Sequence, residues 1–203
     1  MKKQIKFYNF INFLDKLKDE KRYAGVRHMR GDNSADHSWR LAVIVMLASE
    51  FYNIKINLLK AVKIALVHDL VEIYAKDIPR SDRFKKNITK KYKLKNEKIA
   101  MVKIKKLAPA SIGKEINDLW AEYTKLKTKE AKIVASLDKI EGLMTFFNRG
   151  KPSKYGSEYI ATYSNKYILK TPELAPLYKV LQSEMKKSYK KNRIEWKKEY
   201  NIQ

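Results

Sequence analysis

Apolar residues recur at helical spacing along nearly the whole chain, and the pattern predicts an all-α fold. Phe7, Phe10, Ile11, Leu14 and Leu17 fall at intervals of three and four, which marks one face of a first helix over 3–18. Between Asp19 and Asn33 the pattern breaks at Gly25, Gly31 and four basic residues, so this stretch reads as a loop. Asn33 or Ser34 can cap a second helix over 35–52, whose interior from Leu41 to Leu47 is apolar on every side and therefore central. A third helix starts near Leu58, runs through the apolar series from Ala61 to Val71 and ends before Pro79. These two helices make a core hairpin. Further helices are predicted over 88–107, 111–126 and 129–148, with Pro109 and Gly150 as stops, and a last one over 172–200. Leu177, Val180, Leu181 and Met185 give that last helix an apolar face, to be packed on the domain or on a second subunit.

Length changes little in this picture. A chain of 203 residues supports one domain with a substantial core, expected over 1–203, with a motif-bearing core at about 7–149 and a helical extension at about 155–203. Hydrophobic residues at 44% exclude a disordered chain. Cysteine is absent, which excludes disulfides and thiolate metal sites and suits a reducing cytoplasm. Asn9, Asn12 and Asp15 interrupt the apolar stretch that a signal peptide needs, and no run is long enough to span a bilayer. A cytoplasmic protein with no membrane contact is expected. The net charge of +23 would suit an anionic partner such as nucleic acid. Only eight of the 45 basic residues are Arg, however, and the Lys residues are spread throughout, as compositional bias would spread them. The densest run, Arg83 to Lys106, reads as a solvated helix face or as a sequence-independent phosphate binder.

The chemistry is in the polar residues that interrupt apolar helices. His68 and Asp69 stand inside the run from Ile64 to Val71, where both are costly unless paired or liganded. Asp138 repeats the anomaly between Val134 and Leu143, although alone it also fits a helix-face carboxylate paired with Lys. If the hairpin turns near residue 55, His37 lies about 27 Å before the turn and His68 about 20 Å after it, at the same end. Two imidazoles and two carboxylates suit one divalent cation such as Co, Mn, Zn, Fe or Ni better than Ca or Mg. Neighbours on a helix point about 100° apart, so His68 and Asp69 can share an ion only in a crevice between helices. Glu72 lies on the same helical side and is the candidate general acid/base, while Asp77, just past the helix, is a candidate for substrate positioning.

The order of a histidine, a His-Asp pair and a distant aspartate resembles the HD-domain phosphohydrolase superfamily. Asn33 to Ser38, Ala65 to Glu72, Asp77-Ile78-Pro79, Leu119 to Tyr123, Lys129 to Lys132 and Leu137 to Glu141 resemble its small 5'-deoxynucleotidases in particular. That resemblance implies a helical bundle and a single-metal phosphomonoesterase with His37, His68, Asp69 and Asp138 as ligands. It further implies Glu72 as the catalytic carboxylate, Asp77 on the deoxyribose, Arg22 on the phosphate with Arg27 as a second candidate, and a homodimer. Tyr23 stands where the family usually carries Trp beside the nucleotide, and Lys76 stands where it carries Gly. With only three histidines a two-metal phosphodiesterase is disfavoured, and the length disfavours the triphosphohydrolases of the superfamily. The alternative from another class is a basic nucleic-acid-binding protein with a vestigial metal site.

Overall fold

In the structure, a computed structural model that describes residues 1–22, 32–76, 89–154 and 156–202, four of the helices begin on a short polar side chain that accepts an otherwise unpaired N–H. Asn33 caps α2 (Ser34–Phe51), and its side-chain oxygen accepts from the Asp36 N–H at 2.9 Å. Asn57 caps α3 (Leu58–Val67), Thr89 caps the next long helix (Lys90–Leu107), and Thr128 caps the helix that crosses the site (Lys129–Arg149). With α1 (Lys2–Leu14) and α4 (Glu72–Ala75) ahead of them, the last two are α5 and α7, and α6 (Ala110–Lys125) lies between them behind Pro109. The chain continues through two short helices, α8 (Ser157–Thr162) and α9 (Asn165–Ile168), to α10 (Ala175–Lys191). The fold is all-α, as expected.

The predicted hairpin is present and its turn has a local cause. Asn53 takes the left-handed conformation (φ 47), its N–H reaches Glu50 O at 3.1 Å and the Ile54 N–H reaches Ser49 O at 2.9 Å. That paired closure satisfies the last carbonyls of α2 and sends the chain back as α3.

Among the described residues two large apolar clusters result, with a smaller third at the tail. Leu41, Val45, Ala61, Ile64, Ile133, Leu137 and Ile140, from α2, α3 and α7, form the first, joined by Tyr178, Leu181 and Met185 of α10. Phe10, Phe13, Leu17, Leu70, Val71, Ile73, Met101, Ile104 and Trp120 form the second, from the ends of the first half of the chain, α5 and α6. The third predicted helix therefore does not run on towards Pro79. It stops at Val67, because Ile64 and Ala65 belong to the first cluster whereas Leu70, Val71 and Ile73 belong to the second.

Three further expectations are corrected. The buried face of α1 carries Phe10 and Phe13, with Leu17 beyond in a 3-10 turn (Asp15–Asp19), while Phe7 and Ile11 are exposed. Phe13 is not among the residues of the predicted face, yet it stacks on Tyr74 with ring centroids 5.5 Å apart. The last helix ends at Lys191 rather than at 200. Arg193 turns left-handed (φ 55), and the Ile194 N–H bonds to Tyr189 O at 2.9 Å. The tail then folds back, so that Ile194 and Tyr200 bury against Tyr189 and Ala161. On α10 it is Tyr178, Leu181 and Met185 that face inward, whereas Val180 faces solvent.

The Lys-rich helix α5 packs through Ala100, Met101 and Ile104 and keeps most of its lysines at the surface, the reading of a solvated face. Its end is pressed onto α6: a Cβ at Gly113 would stand 2.7 Å from the Lys105 carbonyl oxygen. Gly113→Ala is therefore expected to cost about 1–3 kcal/mol in a urea unfolding titration, and an unchanged midpoint would show that the two helices are not so closely apposed.

Candidate metal centre

The seam between the two clusters is where the polar side chains converge. α2 brings His37 from its first turn, the end of α3 brings His68 and Asp69, and α7 brings Asp138 from its middle. Past Val67 the backbone bonds shorten to the i, i+3 type, Leu70 N–H to Val67 O at 3.2 Å and Glu72 N–H to Asp69 O at 2.9 Å. In such a turn side chains three apart eclipse, which puts Asp69 and Glu72 on one side. His68 and Asp69 nevertheless converge, with Asp69 Oδ2 3.2 Å from His68 Nε2.

His37, His68 and Asp138 are buried, and the Asp69 side chain keeps 17% exposure. The rings of His37 and His68 meet edge-on, 5.3 Å between centroids. Asp69 Oδ2 lies 3.2 Å from His68 Nε2 and 3.8 Å from His37 Nε2, and Asp138 Oδ1 lies 3.3 Å from His37 Nε2. One donor atom each from His37, His68 and Asp69 falls within a span of 4.8 Å. Donors held tetrahedrally at about 2.1 Å from one ion stand roughly 3.4 Å apart, close to these separations.

The outer contacts decide which ring atoms face the cleft. His68 Nδ1 is 2.8 Å from Ala65 O, an atom that can only accept, so Nδ1 carries the hydrogen. His37 Nδ1 is 2.5 Å from Glu141 Oε2. Both Nε2 atoms are buried without a hydrogen-bond partner, the state of two imidazole lone pairs kept for an ion. Asp138 is likewise prepared. Its Oδ2 accepts from Tyr123 Oη at 2.6 Å and from Lys139 Nζ, which leaves Oδ1 towards His37. The residues present fit a divalent cation with nitrogen and oxygen ligands.

Electrostatics sharpen the fit. Burial opposes ionisation of Asp69, but His68 beside it, with His37 and Arg22, holds its carboxyl well below the usual range. Asp138 is depressed in the same way, burial being outweighed by Lys139 and His37. Burial disfavours the His37 cation and so does Arg22, yet the carboxylates of Asp138 and Glu141 that face its two ring nitrogens prevail and raise its pKa. The Tyr123 phenol is pushed up by burial and by Asp138, and so stays a donor.

Of the substrate-binding candidates, Arg22 is placed at the site, its Nη1 3.4 Å from Asp69 Oδ2 and its Nε 3.4 Å from Asp32 Oδ2. Tyr23, Arg27 and Asp77 lie outside the described residues. Glu72 is buried and its Oε2 accepts from Ser34 Oγ at 2.6 Å, which fixes it against the first turn of α2. Lys76 ends the site's described edge in a left-handed backbone (φ 63), strained for any residue but glycine, and its Nζ bonds to Glu20 Oε2 at 2.8 Å. Sequence reasoning gave no role to Glu141 or Tyr123, although their spacing offered a clue: Glu141 lies one helical turn beyond Asp138.

The HD domain family model matches residues 14–179. The chain is 34% identical over 152 residues to the 5'-deoxynucleotidase HDDC2 of Dictyostelium discoideum, covering 71% of this chain and 78% of that one. It is 33% identical over 181 residues to the 5'-deoxynucleotidase HDDC2 of Danio rerio, covering 86% of each. A crystal structure of a predicted metal-dependent phosphohydrolase from Magnetospirillum magnetotacticum shares the fold, with a TM-score of 0.69 at 22% identity over 96% of this chain and 99% of that one.

Protons and a cation compete for the same imidazole nitrogens. Because the pKa of His37 is raised above its ordinary value, cation uptake is expected to weaken as pH falls from a point above about 6.5. Thermal melting with and without Mn(II) checks this. The metal-induced rise in Tm should shrink on acidification, and a rise that does not vary from pH 8 to pH 5.5 would contradict it.

Proposed function

The chain belongs to the HD domain family, and on that premise we propose that it is a metal-dependent 5'-deoxynucleotidase acting on deoxynucleoside 5'-monophosphates. The observation that carries the reading is the pair of buried, unpartnered Nε2 atoms of His37 and His68 facing the carboxylates of Asp69 and Asp138. The curated relatives named as 5'-deoxynucleotidases supply the substrate class. His37, His68, Asp69 and Asp138 would hold one divalent cation, Co, Mn, Zn, Fe or Ni, through nitrogen and oxygen. When bound, such an ion supplies Lewis acidity and a water of lowered pKa.

The remaining steps belong to the side chains. Water oxygen bonds to phosphorus as the bond from phosphorus to O5' breaks, and a proton ends on the leaving O5'. Glu72, held by the Ser34 hydroxyl, takes a proton from the water and returns one to the leaving group. Arg22, beside Asp69, neutralises charge that grows on the phosphoryl oxygens. The family resemblance assigns Asp77 to the deoxyribose and Tyr23 and Arg27 to the nucleotide. Glu72→Gln is expected to lower kcat by about 10²–10⁴-fold while cation binding persists, since that residue is not assigned as a ligand.

We also assign the protein to the cytoplasm as a homodimer. Among the described residues no helix is long and apolar enough to cross a membrane. Exposed Ile5, Phe7, Tyr8 and Ile11 on α1, with Phe51 and Leu59 at the hairpin turn, provide apolar surface for self-association. Light scattering should give about twice the 23.9 kDa chain mass, and a stable monomer would rule the dimer out.

Phosphate release from a panel of deoxyribo- and ribonucleoside 5'-monophosphates tests the activity. Deoxynucleotides should be preferred. Chelation should abolish release, and Asp69→Ala, which removes a ligand outright, should cost more than the about 100-fold upper value typical of losing a ligand's outer partner. Undiminished release by Asp69→Ala in metal-replete protein would refute the assignment.

A further inference from the structure

One helix grips both nitrogens of one ring. Asp138 and Glu141 lie a turn apart on α7, and Asp138 Oδ1 faces His37 Nε2 at 3.3 Å while Glu141 Oε2 meets Nδ1 at 2.5 Å. Glu141 is buried, and its second oxygen is also engaged, accepting from Arg40 Nη1 at 3.1 Å and from Thr145 Oγ1 at 2.8 Å. Arg40 lies one turn after His37 on α2 and Thr145 one turn after Glu141 on α7, and the Arg40 Nη1 also donates to Thr145 Oγ1 at 2.7 Å. The carboxylate can neither swing away nor rotate without breaking these bonds.

His68 is oriented by other means. Its Nδ1 is tied to the carbonyl of Ala65 in its own turn, so backbone fixes that ring. The two imidazoles are therefore unequal: the Nδ1 of His68 has a backbone partner, and that of His37 has the Glu141 carboxylate.

We propose that Glu141 is the positioning residue of the centre, holding the hydrogen of His37 on Nδ1 and so aiming the Nε2 lone pair at the cation position. The inference rests on the metal-site reading given above. A carboxylate partner of this kind fixes the tautomer and orientation of a liganding imidazole and raises its basicity, and losing it typically weakens metal binding about 10–100-fold.

The test is the dissociation constant for Co(II), measured by titration of metal-free protein, for wild type, Glu141→Ala, Glu141→Gln and Gly113→Ala. Glu141→Ala should bind about 10–100-fold more weakly. Glu141→Gln should recover most of that loss, because its carbonyl oxygen accepts from the same N–H. Gly113→Ala loosens the packing of α5 on α6, away from the ligands, and should bind as wild type does. In Zn(II)-loaded wild type, long-range proton–nitrogen spectra of the three histidines should show His37 protonated on Nδ1. Wild-type uptake with equal affinity in Glu141→Ala, a proton on His37 Nε2, or an equal loss in Gly113→Ala would overturn the inference and leave the metal site standing. Absence of uptake by wild type would overturn both.

Discussion

Two imidazoles and two carboxylates share a largely buried cleft, and the cost of taking them out of water governs the arrangement around it. Removing an ionised group from water costs several kcal/mol unless its partners restore the lost solvation. Here the compensation is mutual but incomplete. Asp69 and Asp138 are held ionised by the histidines and by Arg22 and Lys139, yet both imidazole Nε2 atoms are left without a hydrogen bond. A divalent cation would complete that balance better than a proton, since it could satisfy both imidazoles and the Asp69 carboxylate at once.

The fold delivers the four groups by placing them where two apolar clusters meet. Ala35 leans on one cluster and Leu41 sits in the other, with His37 between them on α2. The same change of allegiance falls between Ala65 and Leu70, across His68 and Asp69. A polar site at such a seam does not interrupt either core. It also explains why Glu72 and Ser34, brought together across it at 2.6 Å, tie the start of α2 to the turn after α3.

Local signals made much of this legible in the sequence. Asn33, Asn57 and Thr128 are caps that act within three residues, and the apolar runs of α2 and α3 are long enough to require a central hairpin. Both histidines consequently fall at one end on counting alone. The break at His68 left no such trace, because Leu70, Val71 and Ile73 continue the apolar pattern while burying in a different cluster. Glu141 was hidden for a related reason: a carboxylate on α7 reads as a surface charge until α2 is laid against it. The face of α1 was ambiguous because apolar residues surround most of that helix, and only contact with Tyr74 selects Phe13. The tail after Lys191 reads as helix in the sequence because the left-handed turn at Arg193 uses no glycine.

The central claim is that one cation is held between the paired imidazoles and the two carboxylates. Anomalous diffraction at the metal edge from crystals grown with Mn(II) tests it directly. A single strong peak is expected within about 2.0–2.3 Å of His37 Nε2 and His68 Nε2 and of oxygens from Asp69 and Asp138. A peak coordinated without either imidazole, or no peak in metal-replete crystals, would contradict it.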